Sequence, residues 1–170
     1  MKCFSIVCLV ACLALTAGAD EQTAQIKADA QKCAEAAVKG DYDSMVKYTH
    51  PRVVEKMGGK DKMVEVVKKS MAQMQQQGAE FSGASVGEPE SPKKIGAFLT
   101  CKVPEHVVIK IGGGKLESDS TLLGISEDGG KKWTFIDLGP LKKEAFAMLF
   151  PELADKIELP EKKQPTFSRE

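Results

Sequence analysis

The hydrophobic period of this chain switches once, at Gly78, and that switch limits its possible folds more than any other feature. Upstream of Gly78 apolar residues recur with helical spacing; downstream they alternate in short β-branched runs cut by glycine and proline. Between Glu21 and Val38 the stripe Ile26, Ala30, Cys33, Ala34, Ala37, Val38 faces away from Lys27, Asp29, Lys32 and Glu35, which predicts an amphipathic helix stopped by Gly40. Asp41 is placed to cap a short helix through Thr49. Pro51 ends that helix and opens another turn or two, because proline suits the first helical position and disfavours helix in the residue before it. Gly58-Gly59 closes this piece, and a long helix follows from Asp61 to Gln77 with Met63, Val67, Met71 and Met74 on one face.

After Gly78 the pattern predicts strands over 79–86, 94–103, 105–111, 115–126 and 132–138. Gly112-Gly113-Gly114 and Asp128-Gly129-Gly130 read as tight hairpin turns, since glycine supplies the positive φ such turns demand. Pro104 interrupts a long run and is expected to mark a bend or bulge in an edge strand. A short helix, Leu141 to Leu149, stops at Pro151, and the tail 160–170 has no periodicity and is expected to be mobile. Helices followed by hairpin-linked strands predict an α+β fold: N-terminal helices packed on a curved antiparallel sheet of about four to five strands, with a short C-terminal helix. Residues 20–159 form one such domain.

Residues 1–19 read as a secretory signal, with Met1-Lys2 as the charged start, an apolar run from Cys3 to Leu15, and Ala17-Gly18-Ala19 at the cut. The mature chain then starts at Asp20, exported to a periplasmic or extracellular space. A rival is a lipoprotein signal ending at Cys12, which would carry the lipid; the apolar run continues past that cysteine. Removal of the leader leaves no membrane-spanning stretch and two cysteines, Cys33 and Cys101. In an oxidising compartment these are either one disulfide or two small buried side chains. The 24 basic residues balance the 24 acidic ones, and only Arg52 and Arg169 are arginines, so no field or fork of donors is present to hold nucleic acid.

Motifs that resemble chemistry have structural readings. Gly83-Ala84-Ser85-Val86-Gly87 fits G-x-S-x-G, but the nucleophile elbow needs a strand turning into a helix, and here a proline-bearing loop follows. The run from Ser126 to Trp133 fits S-x-D-x-G-x-x-W, an Asp-box hairpin in which the aspartate bonds neighbouring amides and the tryptophan packs back. Gly112-Gly113-Gly114-Lys115 lacks phosphate-loop spacing. His50 and His106 sit in no metal-ligand pattern, and the methionine stripe is core. Neither metal nor cofactor is expected.

The order of elements resembles the nuclear transport factor 2-like, or cystatin-like, cone fold. The resemblance rests on the opening helix, the stretch GDYDSMVKYTHP from Gly40 to Pro51, the helix before Gly78, and the strands ending in Trp133-Thr134-Phe135-Ile136-Asp137. It implies a pocket between helices and sheet, and a superfamily ranging from isomerases and dehydratases to inert binding domains. Tyr48, His50, Phe81, Phe98, Trp133 and Asp137 are the expected lining or rim. In ketosteroid isomerase, a relative by fold, an aspartate base works with a tyrosine and a protonated acid. The expected function is an exported, non-catalytic binding module for a small apolar ligand, a peptide or a protein partner. The alternatives are an isomerase, dehydratase or cyclase with Asp137 or His50 as base and Tyr48 as donor, and a homodimerisation module.

Overall fold

The computed structural model describes residues 13–169, with side chains from Asp20 onward. The expected leader therefore lies largely outside the described residues, as does Cys12. Helix α1 (Leu13–Lys39) leads, followed by α2 (Tyr42–Tyr48), α3 (Pro51–Lys56) and α4 (Lys60–Gln76). Six strands come next, β1 (Ala79–Val86), β2 (Lys93–Ile95), β3 (Phe98–Ile111), β4 (Gly114–Ser126), β5 (Thr134–Asp137) and β6 (Thr166–Arg169), with α5 (Lys143–Leu149) before the last. All pair antiparallel in one curled sheet of order β1-β3-β4-β5, with β2 beside β3 and β6 beside β4. The fold is the expected α+β layout. No described helix is long and apolar enough to cross a membrane.

Local chemistry sets the helix ends. The Asp41 carboxylate accepts from the Ser44 amide at 3.1 Å, capping α2. Pro51 occupies the first turn of α3, whose cap is His50: its ring nitrogen Nδ1 accepts from the Arg52 amide at 3.2 Å. Gly112 and Gly113, both left-handed at φ 56° and 77°, form the two-residue link between Ile111 and Gly114. The Asp128 turn is wider than a tight hairpin, since the last β4–β5 pair is Ile125 with Thr134. Its aspartate accepts from the amides of Lys131 and Lys132, each at 3.0 Å, and the Trp133 indole N–H closes it onto the Gly130 carbonyl at 3.1 Å.

Two readings of the strands need correction. Pro104 lies within β3, which is central and unbroken, not at a sheet edge. Its carbonyl accepts from the Gly87 amide at 2.8 Å, so the donor that proline lacks would point to that same side. There β2 pairs only as far as Thr100 and β1 resumes at Glu105, and the proline falls in the gap. The irregularity sits instead in β1, where register slips between Phe81 and Gly83. The tail, expected to be mobile, carries β6, paired with Gly114–Glu117 of β4. An open stretch of β4 edge and the alternating Thr-Phe-Ser-Arg run account for this pairing.

Both faces of the sheet carry a packed layer over part of their length. Alternate residues of β3, β4 and β5 (Cys101, Val103, Leu122, Phe135) meet Ile26 and Ala30 of α1 and enclose Trp133. Small side chains on α1 let it lie close, and its Gln31 amide is bonded to Ala84 and Val86 along the free edge of β1. The opposite residues (Phe98, Leu123, Ile125, Ile136) meet Phe146 of α5 with Phe150 and Leu153 after it. Arg52 fastens this second layer: its guanidinium bonds the Leu149 carbonyl at 3.0 Å and forks onto Glu152 at 2.9 and 3.1 Å.

Candidate functional site

Where α1, α2 and α3 arch over the β5 end of the sheet, they leave a cavity of about 390 Å³. Small residues of α1 make its roof, Met45 and Val53 one side, and Phe135, Leu122 and Val107 its floor. Leu141 and Leu149 reach it around the β5 edge from the second layer. The volume falls within the range of about 300–1,000 Å³ typical of small-molecule sites.

Polar atoms in this wall are few and include two carboxyl groups, on Glu105 of β3 and Asp137 of β5. Glu105 occupies an inward position in the series Cys101, Val103, Glu105, Val107, opposite Ser120 of β4. Burial lifts its carboxyl from the usual 4.5 to about 7, and the Asp137 carboxylate adds to the shift. Near neutrality Glu105 thus divides between acid and carboxylate. Asp137 lies at the exposed rim. Its Oδ1 accepts from the Ser120 hydroxyl and, at 2.9 Å, from the Gly139 amide. Among the described residues no lysine, arginine or histidine is recorded within 4.0 Å of either carboxyl. Cys33 faces the same space, its thiol pushed up to about 12 by burial first, then by Glu105 and Asp137. A thiol so held stays protonated near neutrality and reacts slowly.

Of the six residues expected at a pocket, Phe81 and Asp137 line this cavity. Tyr48 is half-buried beside the α1 layer, and its hydroxyl interacts with Lys32. His50 is 1% exposed and stands edge-on to Phe150 in the second layer, centroids 4.7 Å apart. Burial there, with Arg52 second, lowers its pKa to about 4. Phe98 belongs to that layer as well, and Trp133 is sealed beneath α1. Cys33 and Cys101 are both free thiols: Cys101 donates to the Glu90 carbonyl at 2.8 Å, away from the cavity.

Glu105 escaped the sequence analysis, although a signal existed: an acid in an otherwise apolar inward series on a strand. The pattern shows that side of the strand to be covered, but not that a hollow lies over it. Ser85 stands on a strand opposite His106, and His106 Nδ1 is 2.9 Å from Asp119. The row lies on the exposed side of the sheet with no recorded Ser85–His106 bond and no turn into a helix, so it lacks the features of a hydrolase elbow.

Compared with known proteins, the chain matches no family model, no curated protein and no solved structure.

Proposed function

We propose that the protein is an exported binding module whose cavity takes a small apolar ligand, with the ligand's hydrogen-bonding end against Glu105 and Asp137. One observation carries this reading: an apolar hollow of ligand size with two neighbouring carboxyl groups in its wall. Leader-like residues 1–19 and the likeness in element order to nuclear transport factor 2-like domains support it. Export is tested by cell fractionation and the mass of the mature chain, expected to start at Asp20.

Binding is tested with N-phenyl-1-naphthylamine, an apolar fluorophore bearing one N–H donor. Saturable one-to-one enhancement is expected, with Ala37→Phe, which fills the roof, binding at least ~10-fold more weakly. Unsaturable fluorescence, or equal binding by the filled variant, would overturn the reading.

A second reading is proton transfer of the isomerase kind, favoured by a carboxyl poised near 7 inside an apolar hollow. His50 and Tyr48 have no part in it, because neither reaches the cavity. Glu105 would take a proton from carbon beside a carbonyl and return it. Incubating cyclic enones with the protein in D2O should then give deuterium incorporation by NMR, lost in Glu105→Gln. Incorporation at the buffer rate with every ketone tried would exclude this reading.

A further inference from the structure

We propose that residues 160–169 form a removable strap controlling passage into the cavity on its Asp137 side; this inference rests on the cavity being a ligand site. Beside the apolar cavity lies a second hollow of about 400 Å³. Phe81, Val107 and Asp137 stand in the walls of both, so the two spaces adjoin through these side chains. Pro160, Glu161, Lys162 and Lys163 form part of the second hollow's wall. The strap therefore walls the space next to the cavity's Asp137 side.

Its attachments are weak relative to the core. Lys163 Nζ is 3.3 Å from Asp119 Oδ2, with both side chains more than half exposed, and solvent-screened pairs of this kind hold a segment only weakly. Strand β6 adds four ladder positions on the β4 edge, every one of its residues exposed. Phe167 itself remains 51% exposed. An edge strand that buries so little belongs to the low end of local stability and can open while the rest of the sheet stays paired. The hollow sits where β4 lacks a strand neighbour, between its β6 pairing, which ends at Glu117, and its β5 pairing, which starts at Leu122. Detachment of β6 would free the wall of this hollow without disturbing either core layer.

Gly114 makes the latch specific. A Cβ there would lie 2.5 Å from the Ser168 carbonyl oxygen and 2.6 Å from the Phe167 ring, so alanine cannot coexist with seated β6. Gly114 is not in the left-handed region, unlike Gly112 and Gly113. Gly114→Ala therefore unseats the strap with the turn itself intact.

The test compares the full chain, Gly114→Ala, and a chain ending at Leu159. Alkylation of Cys33 by N-ethylmaleimide is followed by peptide mapping, which separates it from the other thiols and needs no ligand. Uptake of N-phenyl-1-naphthylamine is followed by stopped flow. Both altered chains should alkylate Cys33 at least ~10-fold faster and take up and release the probe faster by a similar factor, with affinity changing much less. Hydrogen exchange of the β4 amides that face β6 should rise in Gly114→Ala. Equal alkylation and uptake rates in all three chains would overturn the strap and leave the ligand reading standing. Faster alkylation with no saturable probe binding in any chain would support a removable cover and overturn the ligand reading.

Discussion

Trp133→Ala is expected to lower the unfolding free energy by about 3–5 kcal/mol, the range for deleting a large buried aromatic side chain. Trp133 is 1% exposed and packs with Ile26 of α1, so its ring joins the helical layer to the sheet. The sheet is shaped to receive it: at Gly124 a Cβ would lie 3.3 Å from the Trp133 ring and 3.1 Å from Phe135. The β4–β5 turn also closes on it through the indole N–H and the Gly130 carbonyl. Trp133→Phe, which keeps most of the packing and loses that bond, should cost only about 1–2 kcal/mol. A domain stability of about 5–15 kcal/mol makes the difference easy to read in urea midpoints. Equal losses for the two variants would show that the turn, rather than the packing, holds this end of the sheet.

The same turn shows why parts of the fold could be read from the sequence. Asp128, its glycines and Trp133 lie within a few positions of one another, and their bonding is local. Asp41 before α2, Pro51 at α3, and the Gly112-Gly113 link are legible for the same reason. What escaped depends on pairings between distant residues. β6 has a strand-like composition, yet only the free stretch of β4, about fifty positions earlier, makes it a strand. The second layer was half visible: the short helix before Pro151 was legible, but that it buries Phe146 and leaves Met148 68% exposed followed only from its seat on Phe98 and Ile136, on the side of the sheet that α1 leaves open. Tyr48 and His50 fell close to the hollow in sequence and outside it in space. The α2–α3 junction crosses the β5 edge, where the Thr49–Phe135 bridge and the His50 amide bond to the Phe135 carbonyl fix it. Thr49 and Val53 are thereby turned to the cavity and His50 to Phe150.

Glu105 and His50 should tilt stability with pH in opposite directions. Folding lowers the His50 pKa from 6.5 to about 4, so as pH falls through this interval the unfolded chain takes the proton first. The stability owed to its neutral burial is complete above about 6.5 and lost towards 4, an effect of roughly 3 kcal/mol at 1.36 kcal/mol per pK unit. Folding raises the Glu105 pKa from 4.5 to about 7, so here the folded chain holds the proton that the unfolded chain releases. That contribution is complete below about 4.5 and lost as pH rises through 7, by roughly 2–3 kcal/mol given its partial exposure. Between about 4.5 and 6.5 the two slopes largely cancel, and each variant uncovers the other group. Glu105→Gln should be roughly 2–3 kcal/mol more stable than wild type at pH 8 and should lose stability relative to it on acidification. His50→Gln also forfeits its cap and ring contact, so its absolute stability is lower at every pH; relative to wild type it should recover as pH falls from 6.5 to 4.5. Arg52, together with Glu127 at 3.8 Å from the imidazole Nε2, supplies the charged groups at His50, and Asp137 is the one at Glu105, all retained in both variants. Urea unfolding at several pH values between 4.5 and 8 reads both differences against wild type, in which the remaining carboxylates titrate alike. Differences that run parallel in the two variants would mean that one of these groups is not buried as described.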